Sequence, residues 1–252
     1  MQMNRDTSMF RRSMNGGKNM SVGFRVFTQR ELPDRELVEQ FRGLPTANVC
    51  DCMERLGVMN ASIRLLSRPV EKSMVGVALT VKTRNGDNLM IHQAIDLAGP
   101  GDVIIVDNEG GRDRSLAGAI MFGYMKYKGV EGVVFDGPVR DYDMVSGLDW
   151  HLYATGVTSR GPYKQGPGEV NVPVNCGGVV VYPGDIILGD MDGVLVIPRR
   201  EAAAILEKAV PFAEKDAEKS LNAPQGNINR DWVAKTLAEK GVEIIDGAYS
   251  AS

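Results

Sequence analysis

"SLAGAIMFGYMKYKG" (residues 115–129) runs directly into "VEGVVFDG" (130–137), and the order of these two patterns decides the fold. The first is predicted to be a helix, with Ser115 as its N-cap and Gly129 as its stop. The second is a short continuous apolar run, the signature of a strand buried on both faces of a sheet. A helix feeding such a strand is a layer-building unit of an α/β fold. Immediately beyond, "FDGPVRDYDMV" (135–145) sets Arg140 beside Asp141 behind a Gly-Pro turn, where small polar residues are the usual occupants.

Outward from this core the same alternation continues. "MVGVALTVKT" (74–83) is β-branched and predicts a strand, "NLMIHQAIDLA" a helix, and "PGDVIIVDNEGG" (100–111) a strand leaving through Asp107 and a glycine pair. Leu32 to Gly57 reads as two helices, the second opened by Pro45. Beyond about residue 150 the chain turns to β segments, and "PGDIILGDMDGV" at 183 echoes "PGDVIIVDNEGG" at 100, which suggests pseudo-equivalent strands. Helices return at 199–221, where Pro211 should kink or divide the segment, and in "DWVAKTLAEKG". The expected organisation is a leader over 1–30, one α/β domain over 31–221 and a C-terminal helical extension over 222–252.

Composition narrows the function. The 252 residues are 43% hydrophobic, enough to bury a core, and a net charge of -3 supplies no field for gripping a phosphate backbone, so nucleic acid is not an expected partner. No run approaches the ~18 apolar residues of a membrane span, and the first residues lack the apolar stretch of a signal peptide and the amphipathic stripe of a transit peptide. Three cysteines (Cys50, Cys52, Cys176) and two histidines (His92, His151) have no zinc-site spacing; the thiols are read as reduced, which points to the cytoplasm. Cys176 reads as a buried small hydrophobe, His92 as a core or interface residue on an apolar helix stripe, and "GPYKQGPG" (161–168) as a mobile surface loop without the context of a phosphate loop.

The candidate chemistry lies where the helix opens and the strand ends. If both belong to one layer, the Gly118 region and the Arg140-Asp141 pair can face one cleft at the carboxyl edge of the sheet. Helix amides at Gly118 can hold a carboxylate, Arg140 offers a planar fork for a carboxylate or a developing oxyanion, and Asp141 offers hard oxygen to Mg²⁺ or Mn²⁺. A small 2-oxo acid suits that set. The competing reading makes the pair a solvated ion pair or a helix start, with Asp141 capping "YDMVSG".

Three blocks in order, "PGDVIIVD", "GAIMFGYMKYKGVEGVVFDGPVRD" and "VNVPVNCGGVVVYPGDIILGDMDGVLVIP", resemble the RraA-like family, which includes the class II 4-hydroxy-4-methyl-2-oxoglutarate/4-carboxy-4-hydroxy-2-oxoadipate aldolases. The likeness runs from about residue 45 to 210. It implies a swivelling β/β/α domain with flanking N- and C-terminal helices, assembled as homotrimers or homohexamers with sites near subunit interfaces. It also implies a substrate-holding loop at Gly118, Ala119, Ile120 and Met121, a substrate and catalytic arginine at Arg140, and a metal-binding acid at Asp141. The implied chemistry is a Mg²⁺- or Mn²⁺-dependent retro-aldol cleavage releasing pyruvate, with oxaloacetate decarboxylation through the same enolate. No Schiff-base lysine is needed, and water would carry the protons. The alternative is a non-catalytic binding protein that regulates an RNase by contact, a role that needs no acid at 141. This chain departs from the resemblance at Ala119, where characterised aldolases commonly carry a polar loop. A methyltransferase finds no support, because no strand is followed by a dinucleotide-type glycine loop.

Overall fold

The alternation seen in the sequence becomes a nine-stranded mixed sheet in the computed structural model, which describes residues 21–68 and 72–249. Chain order runs β1 (Phe24–Val26), α1 (Arg35–Glu39), α2 (Thr46–Cys52), β2 (Arg64–Leu65), β3 (Met74–Thr83), α3 (Leu89–Leu97), β4 (Asp102–Asp107), α4 (Ala119–Tyr127) and β5 (Gly132–Val139). It continues with α5 (Tyr142–Val145), β6 (His151–Val157), β7 (Gly168–Val170), β8 (Val174–Cys176), β9 (Val179–Val181), β10 (Ile186–Gly189), β11 (Val194–Ile197), α6 (Ala202–Asn222) and α7 (Asp231–Glu239).

Strands β3, β4, β5 and β6 lie side by side and parallel, each joined to the next by a helix. Their residues alternate between two cores. Ile104, Val106, Val133 and Phe135 face α3 and α4, whereas Val103, Ile105 and Val134 face a second layer with Cys176, Val181, Ile187 and Val196. Both faces are covered, which is why these strands read as continuous apolar runs. Each such side chain contributes roughly 1.5–3 kcal/mol on burial. Phe122 of α4 seats edge-on against Phe135, 6.0 Å between ring centres, which locks that helix to the strand beside it. A third core joins Phe41, Val49, Leu188, Leu195 and Leu206, tying α1, α2 and α6 to the β10–β11 hairpin.

The two echoing segments flank the same strand. β4 pairs with β3 in parallel and β10 pairs with it antiparallel, so the repeated Pro-Gly-Asp turn brings a strand to each edge of β3.

Four expectations change. Helix α4 starts at Ala119 rather than Ser115, because residues 115–117 are drawn into extended pairing: Ser115 N donates to Arg160 O, Leu116 N to Pro138 O, and Arg140 N to Ala117 O. Gly137-Pro138 is not a turn but the irregular end of β5, where the register with β6 shifts between Phe135 and Pro138. Pro211 sits inside α6 without dividing it. Within the stretch read as a leader, residues 24–26 form β1, a parallel edge strand on β7 fastened by an Arg25–Glu169 ion pair; residues 1–20 lie outside the described residues.

Candidate active site

At the carboxyl edge of β5 the backbone leaves the sheet through Arg140 and Asp141, and Asp141 takes a left-handed conformation (φ 62°, ψ 40°). For a non-glycine residue this is strained, by roughly 1–3 kcal/mol, and such strain concentrates at functional sites. Asp141 occupies the N-cap position of α5 but its side chain caps nothing there. Instead its Oδ2 accepts from the Ala119 amide at 3.0 Å, at the opening of α4. The Arg140 Nε lies 3.8 Å from the same oxygen, too far for a hydrogen bond. Asp141 thus begins α5 without capping it through its side chain, and Arg140 and Asp141 form a loose, partly exposed ion pair with no hydrogen bond between them.

Gly118 explains how these groups come so close. A Cβ at this position would stand 2.3 Å from Asp141 Oδ2 and 3.1 Å from Arg140 Cγ. Its backbone (φ -149°, ψ -174°) is ordinary extended chain, so glycine is required by space rather than by conformation.

A cleft of about 310 Å³ is lined by Gly118, Ile120, Met121, Arg140 and Asp141 together with Asn88, His92, Gly161, Pro162 and Lys164. The structure brings together every residue expected from the sequence, with one difference in role. Ala119 contributes its N–H to Asp141 and packs its side chain toward the helix-side core, while the amides of Gly118 and Ile120 have no protein partner among the described residues. The Arg140 guanidinium makes no hydrogen bond to a described residue, and its side chain is 46% exposed, so its fork is free for a ligand.

The donor set fits a hard divalent cation. Asp141 Oδ2 is held in place by the Ala119 amide and its Oδ1 is left without a protein donor among the described residues, which presents one oriented carboxylate oxygen to the cleft. Among the described residues no three His, Cys, Asp or Glu side chains form a cage. A cation such as Mg²⁺ takes only one or two protein carboxylates and keeps the rest of its sphere for water or substrate.

Three further residues of the lining were not singled out by the sequence, or were misread. Asn88 is 2% exposed; its Nδ2 donates to Leu116 O at 2.9 Å, while its Oδ1 is buried with no partner. An orphaned acceptor costs about 1–3 kcal/mol, so it calls for a donor on a ligand or solvent. His92 is exposed at the cleft rather than buried in a core; burial of part of its ring and then the Lys164 charge push its pKa below the ordinary value, against the weaker pull of Asp96. Lys164 stands on the 161–168 loop, which is pinned rather than free: Tyr163 N donates to Gly86 O at 2.7 Å, Gln165 N to Asp87 Oδ2 at 2.7 Å, and Arg114 Nη1 to Gly161 O at 2.9 Å. Cys176 is fully buried, and burial raises its thiol pKa, as suits an inert core residue.

Comparison with known proteins adds the following. Residues 46–196 match the RraA-like family, described as Aldolase/RraA. A Halalkalibacterium halodurans protein named "Putative 4-hydroxy-4-methyl-2-oxoglutarate aldolase" is 38% identical over 174 residues, covering 69% of this chain and 82% of that protein. An Arabidopsis thaliana protein named "Putative 4-hydroxy-4-methyl-2-oxoglutarate aldolase 3" is 31% identical over 157 residues, covering 60% of this chain and 93% of its own length. Among solved structures, Streptomyces coelicolor RraAS2, described as an unusual member of the RNase ES inhibitor RraA protein family, superposes with a TM-score of 0.68 at 27% identity, covering 76% of this chain and 99% of that one.

Proposed function

The chain belongs to the RraA-like (Aldolase/RraA) family, and from that premise we propose that it is an aldolase-type carbon–carbon lyase, dependent on a divalent cation, that cleaves a 4-hydroxy-2-oxo diacid to pyruvate. The observation that carries this reading is the Asp141 carboxylate, turned away from its own helix and held at the opening of α4 beside an Arg140 guanidinium that makes no hydrogen bond to a described residue.

Each group has a task that its geometry permits. The free amides of Gly118 and Ile120, at the positive end of α4, receive the substrate's 1-carboxylate. Asp141 would hold Mg²⁺ or Mn²⁺, which when bound draws electron density from the 2-oxo group as a Lewis acid. Arg140 donates its fork to the same oxygen as negative charge grows there, which favours the enolate over the ketone. The 4-hydroxyl gives its proton to water and its oxygen closes a C4=O double bond, which releases the second carbonyl product as the C3–C4 bond breaks; the electron pair of that bond enters the enolate, and return of a proton to C3 gives pyruvate. Asn88 Oδ1 accepts a hydrogen bond from the substrate hydroxyl, and His92, whose pKa partial burial and then Lys164 lower, can relay protons with water. Loss of CO₂ from oxaloacetate passes through the same enolate and belongs to the proposal as a side activity.

Pyruvate release from a 4-hydroxy-2-oxo diacid or oxaloacetate, followed through lactate dehydrogenase with Mg²⁺, tests the reading. EDTA should abolish the signal; turnover that persists without metal overturns the mechanism. The likeness to RraAS2 favours a second reading, a non-catalytic regulator of an RNase; it gains if the diacids are inert and RNase E is retained in a pull-down. Self-association as a trimer or hexamer forms part of the proposal. One face of α4, with Ile120, Tyr124 and Tyr127, and the neighbouring Met144 expose apolar area at the rim of the cleft. No helix among the described residues is long and apolar enough to cross a membrane, and a cytoplasmic location is proposed with the rest.

A further inference from the structure

Asp87 is completely buried, yet it belongs neither to the Arg140-Asp141 side of the cleft nor to a core ion pair: the nearest cation, Arg84 Nη2, lies 3.6 Å away with a side chain 39% exposed. Its carboxylate is spent on backbone. Oδ2 accepts from Gln165 N at 2.7 Å and Gly166 N at 2.9 Å, and Oδ1 accepts from Leu89 N at 2.9 Å, at the opening of α3. On either side of it, Tyr163 N donates to Gly86 O at 2.7 Å and Asn88 N to Tyr163 O at 3.0 Å. One carboxylate thus joins the start of α3, which carries Asn88 and His92, to the loop that carries Lys164. Lys164 itself is bracketed, because the residues before and after it are both bonded to positions 86–88.

We propose that Asp87 is a positioning residue that fixes Lys164 at the cleft so that the site reads the second, distal carboxylate of a dicarboxylic 2-oxo acid. The claim rests on the proposed 2-oxo-acid reading of the cleft. Arg140 and the Gly118 amides account for one anionic end of a ligand. Lys164 is a second cation lining the same cleft, carried by a different segment of the chain. A flexible lysine on a free loop would contribute little, since its ordering entropy would offset the charge contact. Fastening the backbone on both sides leaves only the side chain to be ordered. The separation of 78 residues between Asp87 and Gln165 makes the clamp a product of the fold, not of local turn chemistry.

Asp87→Asn keeps the volume but replaces one acceptor oxygen with an N–H₂, which must face either the Leu89 amide or the Gln165 and Gly166 amides. The experiment is calorimetric titration of the wild type, Asp87→Asn, Lys164→Gln and the double variant with 2-oxoglutarate and with pyruvate, in the same Mg²⁺ buffer. Hydrogen exchange over residues 161–168 and thermal melting run alongside. The wild type should bind the dianion at least roughly tenfold more tightly than pyruvate. Either single variant should remove most of that preference while leaving pyruvate affinity within about threefold, and the double variant should be no worse than the singles. Asp87→Asn should also speed exchange across 161–168, and Lys164→Gln should not.

Equal loss of both ligands in Asp87→Asn would mean a merely structural residue and overturn the inference, as would additive effects in the double variant. A wild type indifferent to the second carboxylate overturns it too. A wild type that shows the preference and loses it in the variants, yet turns over no diacid, leaves the clamp standing and removes the lyase.

Discussion

Gly118→Ala isolates the feature on which the cleft is built. The added methyl would lie 2.3 Å from Asp141 Oδ2, whereas a comfortable contact begins near ~3.5 Å, so the carboxylate must withdraw by about 1 Å. The backbone at 118 is extended and accepts alanine, so no conformational penalty confuses the result. Withdrawal lengthens the 3.0 Å bond to the Ala119 amide. Losing that bond at a site this exposed should lower stability by only ~1 kcal/mol. A displacement of 1 Å at a reacting centre, by contrast, lowers the rate on the order of 10²-fold, or about 2.7 kcal/mol of barrier. The expected outcome is near-normal melting with activity reduced about a hundredfold in the pyruvate-release assay. If Gly118→Ala turned over substrate within a few-fold of the wild type, the close approach would be incidental and the Asp141 carboxylate would have no assigned place.

Arg140→Lys keeps a charge but loses the fork, so kcat should fall by roughly 10²–10³ with little change in melting; steady-state kinetics near wild type would return Arg140 to the surface. Asp141→Ala should raise the Mg²⁺ midpoint of activity by at least the roughly tenfold that loss of an outer-shell partner alone produces, and an unchanged titration would reassign the ligand. His92 has its folded pKa below the ordinary 6.5. It therefore binds fewer protons folded than unfolded, and its contribution to stability should decline as pH drops through that value and be fully lost below the depressed one. In an NMR titration Lys164→Gln should shift the His92 midpoint upward, and an unmoved midpoint would show that Lys164 is not felt there.

The parts of the fold visible in the sequence are those decided by neighbours along the chain. Met74–Thr83 is one unbroken strand as its pattern suggested, because its residues enter three cores on the two faces of the sheet and all demand apolar side chains. Ser115 misled for the opposite reason. Its local signal favours an N-cap, but backbone partners at Pro138 and Arg160 hold residues 115 and 116 extended, and those partners are distant in sequence. Pro211 was expected to kink or divide a helix; α6 is not divided, since its first turns are anchored by Ala202, Ile205, Leu206 and Ala209, and packing outweighs one missing donor.

In the cleft the same division holds. Gly118, Arg140 and Asp141 could be read because a helix opening and a strand end carry directional chemistry. The rest of the lining could not: Asn88 looked like a helix start, and the glycines of 161–168 looked mobile. Their order comes from Asp87, whose three backbone bonds span sequence separations of 2, 78 and 79 residues.

The geometry at Asp141 sets a stability argument against a functional one. A left-handed turn after β5 would be met with least strain by glycine, which carries no Cβ penalty there. An aspartate in its place accepts that strain, and its carboxylate does not recover it as a cap on α5. What the side chain gains instead is a single bond to Ala119 at the mouth of the cleft, beside a guanidinium that satisfies nothing in the protein. The ~1 kcal/mol that one exposed bond contributes does no more than offset the strain of the left-handed turn. Under the proposed function a ligand completes both side chains, and a side chain at Gly118 would crowd the two groups that receive it.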